Sequence, residues 1–130
     1  MPAQNIIANL FATLYNNEMR RKKECIITPT SKLAYEVLKT LQKNNFIDSF
    51  EYIEDNKGGK FKVKLNANIN KCAVISPRFS VKHDKYIEWE RNYLPSYTRG
   101  ILIVSTTKGV MSHHEAMKEN LGGVLIGYAY

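Results

Sequence analysis

Residues 100–130 read GILIVSTTKGVMSHHEAMKENLGGVLIGYAY, and their order implies a complete supersecondary unit. Ile101 to Val104 is an unbroken apolar run, the pattern of a short strand covered on both faces. Ser112, with Glu115 three residues on, matches the capping box that opens a helix. Gly122 falls where a helix C-terminus takes a left-handed residue, and Gly123 lets the chain reverse into a last apolar strand. Ser105, Thr106, Thr107, Lys108 and Gly109 then sit together in a loop between strand and helix. Three hydroxyls and one cation on a stiff loop suit a surface that grips ribose, base edges and phosphate. They suit covalent chemistry poorly, because no general base stands beside them.

The first half of the chain alternates helix and strand patterns. Ile6, Ile7, Leu10, Phe11, Leu14 and Tyr15 recur at helical spacing and form one apolar stripe ending near Met19. Arg20, Arg21, Lys22 and Lys23 follow, where cations favour the helix dipole and leave a basic knot free for phosphate or for solvent. ECIIT over 24–28 is a short strand stopped by Pro29, after which Thr30 or Ser31 caps a second helix carrying Leu33, Val37, Leu38 and Leu41. Asn44-Asn45 ends it. FIDSFEYIED and KFKVKL alternate in period two across a turn built on Asn56, Lys57, Gly58 and Gly59, the signature of a hairpin. Its alternation sets Phe61, Val63 and Leu65 on one face and Lys60, Lys62 and Lys64 on the other.

Polar residues 66–70 mark a lobe boundary. Beyond it, Cys72 to Ile75 is a strand limited by Pro77, and Asp84 caps a turn or two of helix holding Tyr86, Ile87 and Trp89 before Pro95. The expected fold is α/β (α+β) in two small lobes. Residues 1–66 form an α-β-α-β-β lobe, and residues 67–130 form a mostly β lobe with one short helix that carries the STTKG loop.

Lysine and arginine outnumber aspartate and glutamate by 19 to 12, a formal charge of +7. The excess is divided evenly between the halves: 11 basic and 7 acidic residues up to Leu65, then 8 and 5. A positive field spread over the molecule favours polyanions, nucleic acid above all, over a single small anionic substrate. Cys25 and Cys72 are the only thiols and lie in no zinc-ligand spacing. No basic segment followed by an apolar run opens the chain, which points away from secretion and toward buried, reduced thiols. The apolar runs are too short to span a bilayer.

Enzyme chemistry finds little support in these residues. A phosphate-cradling loop of the G-x-x-x-x-G-K type is absent, since Gly109 follows Lys108 and Val110 comes next. His113 and His114 fall in the first helical turn, expected to be solvent-exposed or to meet a partner, and their spacing is not that of a metal pair. The tyrosines beside cations, Tyr86, Tyr93 and Tyr97, are read as half-buried packing residues before base-stacking ones, and Trp89 as packing. No catalytic residue, metal ligand or cofactor is assigned. The STTKG loop suits RNA, whose wide, shallow minor groove presents 2′-hydroxyls that serine and threonine can both donate to and accept from. On this reading Thr106→Val weakens RNA binding and leaves the fold intact.

The block GILIVSTTKGVMSHHEA…GG resembles the C-terminal signature of the small-subunit ribosomal protein eight family (uS-eight). The likeness extends to the N-terminal helix, to Pro29-x-Ser31-Lys32, to the Gly58-Gly59 hairpin and to NKCAVISPRFSV over 70–81. That last block, with Leu94-Pro95, looks like the eukaryotic and archaeal branch. The resemblance implies two α/β lobes and a structural, non-enzymatic role as a primary binder of small-subunit ribosomal RNA, on a helix of its central domain. It implies neighbouring small-subunit proteins as partners, with no membrane and no small-molecule substrate. A cytoplasmic ribosomal location follows, with nucleolar assembly if the source is eukaryotic. Carried residue by residue, it assigns RNA contact to Ser105, Thr106, Thr107, Lys108 and Gly109 and to Ser31 and Lys32. Arg20, Arg21, Lys22, Lys23 and Arg78 are added as phosphate contacts. Two departures from the family pattern, Met117 in the last helix and Val124 after Gly-Gly, remove polar groups from that region. A free regulatory mRNA-binding protein is the alternative reading.

Overall fold

The computed structural model describes residues 3–28, 30–54, 56, 58–75, 79–95 and 100–130. The first lobe follows the order α1 (Ala3–Met19), β1 (Glu24–Ile27), α2 (Lys32–Lys43), β2 (Ile47–Ile53) and β3 (Lys60–Leu65). Its three strands form an antiparallel sheet in the order β1-β3-β2. The inner face of β3 carries Phe61 and Val63, both buried. Ile7, Leu10, Phe11 and Leu14 of α1 are buried with them, as are Val37, Leu38 and Leu41 of α2. Each such side chain contributes about 1.5–3 kcal/mol by leaving water. Ser31 caps α2, accepting the Ala34 N–H at 3.0 Å. Asn44 is the C-cap and Asn45 takes the left-handed conformation just beyond it, as the Asn-Asn pair implied.

The second lobe comprises β4 (Cys72–Val74), β5 (Ser80–Val81), α3 (Tyr86–Tyr93), β6 (Ile101–Thr106), β7 (Gly109–Ser112), α4 (His113–Lys118) and β8 (Gly123–Ala129). Its sheet runs β4-β8-β6-β7, with β5 also pairing β8. Two short helices stand here where one had been counted: α3 is the turn or two expected after Asp84, although its N-cap is Lys85 with no side-chain cap bond. Ile101 to Val104 is buried throughout because β6 is an inner strand with a core on each side. Ile101 and Ile103 join the core beneath α1 and α2, whereas Leu102 and Val104 join a second core with Tyr86, Leu94, Met111 and Leu125.

The first core crosses from lobe to lobe. Helix α1 packs on β4 as well as on β1, and α2 lies along β7. Thr40 Oγ1 donates to the Val110 carbonyl at 3.3 Å, and Lys43 Nζ meets Glu115 Oε1 at 3.1 Å. Buried Glu18 accepts the Ile69 N–H at 3.0 Å where the chain passes between lobes. Cys25 and Cys72 are both free and buried. Among the described residues no helix is long and apolar enough to cross a membrane. Arg78, Pro77, Pro29, Lys57 and Tyr97, each given a role from sequence, lie outside the described residues.

Candidate nucleic-acid interface

The STTKG segment is not a loop running into a helix. It is the tip of a tight hairpin: Thr106 pairs with Gly109, leaving Thr107 and Lys108 as the two-residue turn, and β7 intervenes before α4. Four residues of strand were missed there because Gly109 to Ser112 is too short to show a period. Gly109 has φ +114°, a conformation that side-chain-bearing residues rarely adopt, so the turn requires glycine at this place. The Thr106 hydroxyl closes the turn, donating to the Gly109 carbonyl at 2.8 Å and accepting the Lys108 N–H at 3.2 Å. It is therefore largely engaged within the hairpin, while Thr107 and Lys108 are exposed and Ser105 is half-buried.

The root of the hairpin is pinned by a buried imidazole. Where β7 ends, Ser112 accepts the Glu115 N–H at 3.3 Å and caps α4. Only this half of the capping box forms, because the Glu115 carboxylate reaches across to Lys43 instead. The next residue, His113, is fully buried, contrary to the exposed position expected of it. Its Nδ1 accepts the Leu102 N–H of β6 at 2.9 Å, and its Nε2 lies 2.5 Å from Glu90 Oε1 of α3. The Leu102 N–H requires a lone pair on Nδ1, so the proton sits on Nε2 and is donated to Glu90. Burial lowers the His113 pKa from its ordinary 6.5, helped by His114 beside it and opposed by Glu90. The ring of His114 lies over that of His113, centroids 3.9 Å apart, and is itself exposed.

Glu90, His113 and His114 stand close enough to offer three ligand atoms to one cation. The tautomer argues against such use: a metal on Nε2 would displace the proton while Nδ1 already holds a hydrogen bond as acceptor, leaving an imidazolate. The trio is a structural tie between α3, α4 and β6. Sequence alone had no signal for Glu90, which reads as an exposed residue of an amphipathic turn.

The C-terminal end of α4 also differs from the expectation. The left-handed residue is Asn120, at φ 58°, with Leu121 N–H donating to the Ala116 carbonyl and Asn120 N–H to that of Met117. Gly122 and Gly123 are needed for close approach, since a Cβ would lie 2.8 Å from the Val81 carbonyl oxygen and 2.4 Å from that of Ser105. Buried Tyr86 donates its hydroxyl to the Leu121 carbonyl, Tyr93 packs at a tilt against Tyr128, and Trp89 packs on Phe79. All three are packing residues, as read from sequence.

The structure sorts the candidate residues into two groups. A cleft of about 520 Å³ between α2 and the hairpin is lined by Tyr35, Glu36 and Lys39 on one wall and by Lys108, Gly109 and Val110 on the other. Ser31 and exposed Lys32 lie one helical turn from Tyr35, so they share the side of the molecule occupied by the hairpin tip. Ser31 also spends its hydroxyl on the helix cap. Arg20 to Lys23 lie at the other end of α2. The Lys23 carbonyl accepts the Leu65 N–H at 2.8 Å, and the next residue, Asn66, bonds the Asn45 carbonyl beyond the end of α2. The basic knot and the hairpin tip therefore stand toward opposite ends of α2, which is about 18 Å long.

Comparison with known proteins agrees with this architecture. The family model for ribosomal protein S8 matches residues 5–130. The chain is 65% identical over 130 residues to small ribosomal subunit protein uS8 of Nitrosopumilus maritimus, covering all of both chains. It is 60% identical to that of Cenarchaeum symbiosum over 130 residues and 50% identical to that of Sulfolobus acidocaldarius over 133, again across the whole of each. An archaeal-type pattern over the full length, on this two-lobed scaffold, establishes that the chain belongs to the ribosomal protein S8 family.

Proposed function

We propose that this protein is a non-enzymatic constituent of the small ribosomal subunit that binds small-subunit ribosomal RNA through the β6–β7 hairpin tip and the start of α2. The observation that carries the reading is the rigidity of the tip. Gly109 and the Thr106 hydroxyl close the turn, and His113 ties its root to two other elements, so Ser105, Thr107 and Lys108 are held in place before any ligand arrives. Preorganised short hydroxyl side chains suit 2′-hydroxyl and base-edge contacts, with Lys108 and Lys32 placed for phosphates. The relatives' name supports the ribosomal setting, neighbouring subunit proteins as further partners, and a cytoplasmic ribosomal location; their archaeal origin does not call for nucleolar assembly. The division at residues 66 and 67 is supported by the separation of the two sheets on either side of it.

The test is binding to a central-domain fragment of small-subunit ribosomal RNA at near-physiological salt, against excess unrelated duplex. Retained tight binding, weakened about tenfold by Thr107→Val, is the expected result for loss of a specific hydroxyl contact worth about 1–1.5 kcal/mol. Binding abolished by the competitor would overturn it.

A further inference from the structure

Beyond the hairpin tip, and resting on the RNA-binding reading just given, we infer that the open face of the first-lobe sheet, with the turn at its end, is a second and sequence-independent seat for ribosomal RNA phosphates. Two clusters forty residues apart in sequence make this surface. Register places Glu24 opposite Lys64 and Ile26 opposite Lys62, while Ser49, Glu51 and Ile53 of β2 stand opposite Lys64, Lys62 and Lys60. The residues of β1 and β3 alternate with a buried inner row, and those of β2 with half-buried Phe50 and exposed Tyr52, whose rings meet Phe61 on the inner side; the row above therefore occupies the face away from the helices. The Leu65 N–H to Lys23 carbonyl bond joins the exposed turn Arg20-Arg21-Lys22-Lys23 to the end of that face.

The charge on this surface is concentrated. The segments contribute seven cations against the carboxylates of Glu24, Asp48 and Glu51, an excess of four within a molecule whose formal charge is +7. Three ordinary explanations for the lysines fall short. Lysine commonly protects sheet edges from mispairing, but β3 is the central strand. Cross-strand ion pairing accounts for Lys62, whose Nζ is 3.7 Å from Glu24 Oε2; among the described residues Lys60 and Lys64 have no such partner. Nor is the face built like a protein interface, whose centre is depleted in Lys, Glu and Ser and enriched in aromatic residues. Here Lys, Glu and Ser make up the face, with Ile26 and Ile53 as its only apolar members in the three paired rows.

Spacing favours a phosphate ladder. Alternate residues of a strand project to one face about 7 Å apart, which is the scale of the separation between successive phosphates along one RNA strand. The row Lys60, Lys62, Lys64 therefore presents three cations in step with a backbone, and the basic turn continues the row. Arg21 holds the left-handed conformation at φ 58°, and it stands exposed at that corner. The lysine face is turned away from the helices, whereas the hairpin tip lies against α2, so the two sites meet different parts of a large RNA.

The test compares two probes, the isolated central-domain helix and the whole small-subunit ribosomal RNA, across a salt series with the triple variant Lys60→Gln/Lys62→Gln/Lys64→Gln. Thermal unfolding of the variant checks that the sheet persists. On the short helix the variant matches the native protein. On the whole RNA the slope of log affinity against log salt falls by about two to three, the release expected from three lost phosphate contacts. An unchanged slope on the whole RNA overturns the inference, and does so equally if the same variant then fails to enter assembled subunits, since the face would serve an acidic protein segment. Thr107→Val separates the two sites. A variant that binds both RNAs normally while the triple variant loses its slope would remove the hairpin-tip reading and sustain this one.

Discussion

Two side chains show how a hydroxyl or an imidazole can be diverted from the role its sequence context suggests. Thr106 closes the hairpin, so Thr106→Val removes a turn hydrogen bond as well as a polar surface atom. We expect it to lower stability by about 1 kcal/mol, seen as a lower midpoint in urea, whereas exposed Thr107→Val leaves the midpoint unchanged and reports on RNA alone. The fold itself should persist at that cost, so any loss of RNA binding in Thr106→Val is read against the lower stability. His113 offers a sharper case. Replacing it with phenylalanine leaves the Leu102 N–H and the Glu90 carboxylate without their partner in a buried place, and should cost about 2–4 kcal/mol. The native residue also makes stability depend on pH. Its folded pKa lies below the ordinary 6.5, so the unfolded chain takes up the proton first, and stability present above about 6.5 declines as the pH falls through and below that value. Denaturant titrations at pH 7.5 and 5.5 should differ in the native protein more than in His113→Phe.

Among the elements, the meeting of α1 with the second sheet is the tightest constraint. Gly127 of β8 faces Phe11 of α1 and the Ala73 carbonyl of β4; an added Cβ would lie 2.7 Å from each. Neither the strand backbone nor a buried ring in a filled core can yield that distance cheaply. Gly127→Ala should therefore destabilise by about 1–3 kcal/mol through overpacking, measured as a drop in melting temperature, while the RNA binding proposed for the hairpin tip keeps its affinity in the fraction that remains folded. Helix α2 carries a milder dependence: Ser31→Ala removes its cap and should lower stability by about 1 kcal/mol. Any accompanying loss of RNA affinity must then be read against that structural loss.

At the scale of the whole molecule the two thiols report on the shared core. Burial, with the Glu18 carboxylate nearby as a second cause, raises Cys25 to about 11 and Cys72 to about 12 from the usual 9.0. The unfolded chain gives up these protons first, so stability should fall as the pH rises above about 9, and maleimide labelling should be slow until the protein unfolds. Labelling of both thiols at the rate of a free peptide in native buffer would contradict the described core.

Much of this architecture was legible from residue order because the signals were local. The α1 stripe, the Asn44-Asn45 helix end and the alternation of KFKVKL each lie within one element, and their periods reveal which face is buried. Ile101 to Val104 could be read as a strand enclosed on both faces from its unbroken apolar run. Sequence also delimited the hydroxyl-rich segment 105–109, but not its form. Only tertiary structure decided that this segment is a hairpin tip, that Thr106 is turned into it, and that His113 and Glu90, twenty-three residues apart, share one buried hydrogen bond. Tertiary structure likewise separated the basic knot from the tip and joined it to the lysine row of β3. The physical reason is the same in each case: periodicity encodes which face of an element is covered, whereas the partner of a polar group is set by whichever distant element the chain brings within about 3 Å.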